Sequence, residues 1–260
     1  MISHFHSIIL GIVEGITEFL PISSTGHLIL TSHLLKIENT NLLKDFQIII
    51  QLGAILAVIV FYFKELFNLE VIKKLIVAFL PTGIIGLTIY KFLKEYLLDN
   101  YLIVIISLFV GGVVMILIEK NKKIVKENAE NKFNIKEITY KKAFYLGLWQ
   151  SIAMIPGVSR SGATIIGGLL MDLKRETIVK FSFLLAVPTM LAATGYDLLK
   201  SYKDISFSEI NSIAIGFITS FIFALIFIKW LINYVQRHNF IAFGWYRIII
   251  SIIFALVFFM

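Results

Sequence analysis

The chain has 260 residues, 58% of them hydrophobic and only 16% charged, with no cysteine and a mean hydropathy of +0.87. A soluble domain is about 45–50% apolar and about 25% charged, so this composition excludes a single water-soluble core and, equally, a disordered chain; the cysteine count excludes a disulfide framework and a thiolate metal site. What remains is a polytopic membrane protein, and the net charge of +7 reads as loop lysines that orient it in the bilayer, not as a nucleic-acid surface.

A helix crosses a bilayer with about 20 apolar residues. The first apolar stretch, 8–35, is no clean crossing: it carries Glu14, Glu18 and His27 and is broken by Pro21. It also lacks the basic flank of a removable signal peptide. Proline removes a helical hydrogen bond and clashes with the preceding turn. The stretch therefore predicts two half-depth helices meeting at a break, a re-entrant hairpin. Irregular backbone at that depth is tolerated only where protein or a water-filled cavity surrounds it. Clean crossings follow at 46–63, 75–90 and 101–118. The Lys/Glu/Asn-rich segment 119–142 reads as a solvated linker. A second broken stretch, 143–171, holds Pro156, Gly157 and Arg160 and predicts a second re-entrant hairpin. Crossings at 181–199, 213–228 and 241–260 complete a set of six.

The two breaks are alike. Gly11, Glu14, Ser23, Thr25 and Gly26 align with Gly147, Gln150, Ser159, Ser161 and Gly162 at a constant spacing of 136 residues. The sequence thus predicts an all-α polytopic membrane protein forming a single domain, 1–260. Repeat one is 1–119 with hairpin 8–35, the linker is 120–142, and repeat two is 143–260 with hairpin 143–171. Three crossings per half is odd, so the halves are expected to be inverted, the architecture that places a site near the bilayer midplane. Charge supports an orientation. With the linker cytoplasmic, the inner loops hold sixteen basic residues and the outer loops six. Both termini are then outside.

Glu14 and Glu18 are four residues apart and share a helix face. Carboxylates at membrane depth are a functional hypothesis by default, the alternative being buried acids that serve packing alone. After Pro21 come Ser23, Ser24 and Thr25, where a new helix begins. Hydroxyls there cap free amides, and the same helix N-terminus is a ready anion site. His27, three residues after Ser24, supplies a group that titrates near neutrality. At the second break Gly157 frees backbone amides, Ser159 and Ser161 supply hydroxyls, and Arg160 supplies a two-pronged phosphate fork. Its partner is either a ligand or a buried ion pair with Glu14 or Glu18. An anion cradle beside two acids, which suit protons or a divalent cation, and a histidine points to phosphoryl chemistry on a membrane-embedded substrate.

Glu14-Gly-Ile-Thr-Glu18-Phe-Leu-Pro-Ile-Ser-Ser-Thr-Gly-His27 and Pro156-Gly-Val-Ser-Arg-Ser-Gly-Ala-Thr164 closely resemble the two signature motifs of the undecaprenyl-diphosphatase, or bacitracin-resistance, family. The resemblance extends over nearly the whole chain. It implies hydrolysis of a polyprenyl diphosphate lipid, undecaprenyl diphosphate, to the monophosphate and inorganic phosphate. The setting implied is the bacterial inner membrane, with the site facing the periplasm or cell exterior. The activity recycles the lipid carrier for peptidoglycan and confers bacitracin resistance. It implies assistance by Mg²⁺ or Ca²⁺, assigned to Glu14 and Glu18, and is compatible with a homodimer; no nucleic-acid partner is expected. The expected catalytic set is Ser24, His27, Glu14, Glu18 and Arg160, with Ser23, Thr25, Gly157, Ser159, Ser161 and Thr164 binding substrate. Ser24 is the preferred nucleophile, activated by His27; His27 itself and an activated water stay open as attacking groups. The competing function is a transporter or flippase for a phosphorylated lipid carrier or anionic solute, which is also built from inverted repeats with broken helices.

Overall fold

The computed structural model describes residues 2–97, 100–121, 134–201 and 209–259. The described residues contain α-helices and 3₁₀ turns and no strand. The α-helices are α1 (His4–Thr17), α2 (Ser24–Leu34), α3 (Asn41–Phe61), the short α4 (Phe63–Leu66), α5 (Leu69–Tyr96), α6 (Tyr101–Lys120), α7 (Tyr140–Ser151), α8 (Arg160–Leu170), α9 (Arg175–Ser201), α10 (Ile210–Val235) and α11 (Ile241–Phe259). Six of these, α3, α5, α6, α9, α10 and α11, are long and apolar enough to cross a membrane. They fall on the six expected crossings. Several run further into polar sequence than hydropathy indicates, because capped turns continue the backbone hydrogen bonding: Thr40 caps α3 through Leu43 N, and Asn100 caps α6. Residues 122–133 of the expected linker, together with Lys203 and Met260, lie outside the described residues.

The two broken stretches form helical pairs, but the breaks are wider than a single proline makes. α1 ends at Thr17, ahead of Pro21, and α7 passes through a 3₁₀ turn, Ile152–Met154, before Pro156. Each break closes on a serine in the left-handed region, Ser23 and Ser159, both at φ 71°. A β-carbon there costs about 1–3 kcal/mol, so surrounding contacts must hold it. Both serines then cap the next helix, Ser23 Oγ accepting from Gly26 N at 3.4 Å and Ser159 Oγ from Gly162 N at 3.1 Å.

The repetition continues past the motifs. Lys36 and Asp172, unlike in chemistry, both have positive φ (55° and 58°) just after α2 and α8. Each helix is closed by the same pair of returns, Lys36 N to His33 O with Ile37 N to Ser32 O, and Asp172 N to Leu169 O with Leu173 N to Gly168 O. These are Schellman-type caps that satisfy the last carbonyls. All keep the 136-residue spacing.

The halves are interleaved. α1 lies along α10 and α7 lies along α5, α3 packs on α9, and α6 packs on α11. Each hairpin thus leans on a crossing of the other half. Close approach sets this contact: a Cβ at Gly11 would lie 2.6 Å from the Gly216 carbonyl, and one at Gly147 would run into the Ala78 carbonyl. The core follows the shared surface, with Phe19 of the first break set edge-to-face on Phe183 of α9 at 5.2 Å. One end of the bundle is tied by ion pairs. Arg175 holds Glu119 at 2.6 Å, Glu119 also accepts from Phe240 N, and Gln236 reaches Glu176.

Candidate active site

The two breaks meet at a cavity of about 150 Å³ lined by Glu18, Ser23, Ser24 and Thr25 from the first and by Pro156, Gly157, Ser159 and Arg160 from the second. Gln51 of α3, Ala153 and Met190 of α9 complete the wall. The residues are brought here by the two short helices, which point their N-termini into the same space. The first turn of such a helix leaves amides without internal partners, and those amides favour an anion.

Glu18 joins the two motifs. Its Oε2 accepts from Ser24 Oγ at 2.6 Å and its Oε1 from Arg160 Nη2 at 2.9 Å. Arg160 Nη1 donates to the Ser182 carbonyl of α9 at 2.9 Å, and its guanidinium lies 5.7 Å from the Phe19 ring centroid. The ion pair is buried, with side-chain exposures of 11% and 5% for Arg160 and Glu18. Removing one member of such a pair strands the other charge, at a cost of about 3–5 kcal/mol. Of the two acids the sequence offered Arg160, the structure pairs it with Glu18.

Glu14 sits one helical turn earlier, fully buried, and neither carboxylate oxygen has a hydrogen-bond partner among the described residues. It does not line the cavity but backs Glu18. Gln150, at the equivalent place in the second half, is neutral and is satisfied by Thr82 and Thr189 at 2.9 and 3.1 Å. The two halves thus build one acidic site, not two.

His27 is placed differently from the expectation. Its Nδ1 is 2.8 Å from the Ser23 carbonyl and its Nε2 is 2.8 Å from Tyr246 Oη, with the two rings stacked at 5.5 Å. Both ring nitrogens are engaged, and the Ser24 hydroxyl is bonded to Glu18 instead. Ser24 begins α2, and side chains at a helix start lean towards its N-terminus, which is where Glu18 stands. Ser161 and Thr164 also differ: Ser161 Oγ donates to the Leu20 carbonyl at 2.9 Å and Thr164 Oγ1 to the Arg160 carbonyl at 2.8 Å. Neither lines the cavity. Their hydroxyls are used on backbone because both are fully buried and need partners. Ser23, Thr25, Gly157 and Ser159 do line it.

Two residues of α11 were not expected from the sequence. Tyr246 holds His27. Arg247, 1% exposed, donates to the carbonyls of Pro21, Ser107, Leu108, Gly157 and Val158 at 3.0–3.3 Å. The signal was present: Arg160 and Arg247 are the two basic residues that lie within apolar segments.

The model of the family described as bacitracin resistance protein BacA matches residues 7–253. The chain is 51% identical to an undecaprenyl-diphosphatase of Aquifex aeolicus, covering 98% of this chain and 99% of the relative. It is 53% identical to an undecaprenyl-diphosphatase of Persephonella marina, covering 96% and 97%, and 48% identical to one of Wolinella succinogenes, covering 96% of each.

Proposed function

The chain belongs to the bacitracin resistance protein BacA family, and from that premise and the cavity's geometry we propose that it hydrolyses undecaprenyl diphosphate to undecaprenyl phosphate and inorganic phosphate, so recycling the lipid carrier for peptidoglycan and conferring bacitracin resistance. The observation that carries the reading is the single carboxylate, Glu18, bonded at once to a helix-start serine and to the arginine of the facing break. That arrangement supplies a nucleophile, a proton acceptor and a cationic clamp in one small cavity.

Phosphoryl transfer needs alignment and charge neutralisation more than covalent help. The terminal phosphate sits between the two helix N-termini, held by Arg160, Ser159 and the amides near 23–25 and 157. Ser24 Oγ attacks the terminal phosphorus while its proton passes to Glu18. The bond to the bridging oxygen breaks and undecaprenyl phosphate leaves. Water then cleaves the Ser24–phosphate ester, releasing inorganic phosphate and restoring the hydroxyl. Glu18 accepts the serine proton at 2.6 Å, a distance at which a general base works. His27, held between Ser23 and Tyr246, keeps the nucleophile's loop in place.

A hard divalent cation, Mg²⁺ or Ca²⁺, takes oxygen ligands and commonly shares them with substrate phosphates. Of the two acids expected to hold such an ion, Glu18 lines the cavity and would face it, whereas Glu14 is fully buried behind Glu18. No group of three or more acids or histidines able to hold a metal is found among the described residues, so substrate oxygens would complete the shell. The ion would supply charge neutralisation at the diphosphate. The reading places the chain in the bacterial inner membrane as two inverted repeats, with the cavity facing the periplasm or cell exterior.

The test is phosphate release from undecaprenyl diphosphate by detergent-solubilised protein, where no gradient exists. Release that is lost in Ser24→Ala is the expected result. A transporter of the lipid carrier or of an anionic solute would release none.

A further inference from the structure

We infer that Arg247 is a positioning residue for this hydrolysis, its guanidinium fixing the nucleophile's break and the clamp's break at a set distance from each other; the inference rests on the function proposed above. A guanidinium has five N–H donors. All five are used here: Nε on Leu108 O, Nη1 on Pro21 O and Val158 O, and Nη2 on Ser107 O and Gly157 O. Pro21 lies three residues before Ser24, and Gly157 lies three before Arg160. One planar group therefore spans from the first break to the second and anchors both to α6.

The acceptors explain why an arginine is needed. Peptide carbonyls in a broken stretch have lost their helical donors, and at membrane depth each unsatisfied group is costly. Arg160 and Arg175 have carboxylate partners, whereas Arg247 has no ion-pairing carboxylate among the described residues and is satisfied by carbonyls alone. A buried cation held that way is expensive, and a neutral side chain could have filled the volume. Its five-way geometry is what a lysine, with three donors on a point charge, does not reproduce. The pocket is also cut to fit: a Cβ at Gly111 of α6 would run into Nη2, and one at Gly162 would lie 3.3 Å from Nη1.

The experiment measures kcat and KM for phosphate release in detergent, alongside thermal unfolding, for four proteins: the unaltered chain, Arg247→Lys, Arg247→Ala and Gly111→Ala. Misplacing reacting groups by about 1 Å costs on the order of 10²-fold. Arg247→Lys is expected to lose about that factor in kcat with KM moved much less, while the fraction folded stays high. Arg247→Ala is expected to regain part of the lost kcat on addition of methylguanidinium, a response a merely destabilised protein does not give. Gly111→Ala keeps the arginine and displaces it, so it should lower kcat in a folded protein even if Arg247→Ala does not fold. Unaltered kcat in Arg247→Lys and Gly111→Ala, or losses that only track the folded fraction with no rescue, would overturn the inference. Absence of release by the unaltered chain would strike the proposed function itself, and the inference with it.

Discussion

Glu18 carries two obligations, and its variants separate them. Glu18→Gln keeps the size and one acceptor but removes both the proposed base for Ser24 and the counter-charge of Arg160. It is expected to lower kcat by about 10²–10⁴-fold, the usual worth of a general base, measured as phosphate release. Arg160→Lys keeps a charge but cannot hold Glu18 and the Ser182 carbonyl together in one plane, so it too should lose most of its turnover; near-normal turnover would remove Arg160 from the clamp. The nucleophile is checked by rapid acid quench with labelled substrate. Label should appear on Ser24, and label on His27 would reverse the assignment. The motif residues were legible because their types are costly at membrane depth and cluster around two prolines. Partner choice was not. Spacing puts Ser24 and His27 on one helix face, yet the strained Ser23 at the cap turns the Ser24 hydroxyl to Glu18 and leaves the imidazole to Tyr246. Arg247 escaped for a different reason: averaged over an apolar run of twenty residues, one charge disappears.

At the scale of the element, each hairpin is two short helices joined through a serine in a conformation that glycine adopts freely and other residues adopt only at a cost. Ser159 has two opposed effects: its hydroxyl caps Gly162 N, and its β-carbon is strained at φ 71°. Ser159→Ala removes the cap and keeps the strain, which should cost about 1 kcal/mol. Ser159→Gly removes the same cap and releases the strain. The glycine variant should therefore melt at a higher temperature than the alanine variant in detergent, although both have lost the cavity hydroxyl. The reverse order would mean that the φ carries no strain. The same reasoning shows how far a repeat can be read from sequence. Ser23 and Ser159 were visible as a pair because the cap requires a hydroxyl. Lys36 and Asp172 occupy matched positive-φ turns and were invisible, because the Schellman return is made by backbone and leaves the side chain free. The breaks were also read as points at the prolines, whereas the helices stop several residues earlier to form the cavity wall.

Across the whole molecule, function depends on the halves being interleaved. The proposed nucleophile comes from α2 and the proposed clamp from α8, while the helices that support them, α1 and α7, lie on α10 and α5 of the opposite halves. Hydropathy located all six crossings but carries no information on which crossing packs on which. That is decided by close approaches such as Gly11 against Gly216 and Gly147 against Ala78. Six crossings would put both termini on one side, and the charge count predicts the 119–142 segment on the other. The ends of α6, α9, α10 and α11 nearest that segment are tied together by Glu119, Arg175, Glu176 and Gln236, so the basic end of the bundle is one cohesive surface. Under the positive-inside rule that surface is expected to be cytoplasmic. The cavity is built from helix N-termini of α2 and α8, which enter from the two hairpins and need not share that side. A reporter fused after Met260 should therefore read external, and one inserted between α6 and α7 should read cytoplasmic. Both reporters reading on the same side would require an even number of crossings between them, where the three helices α9, α10 and α11 give an odd one, and the proposed inverted-repeat arrangement would have to be abandoned.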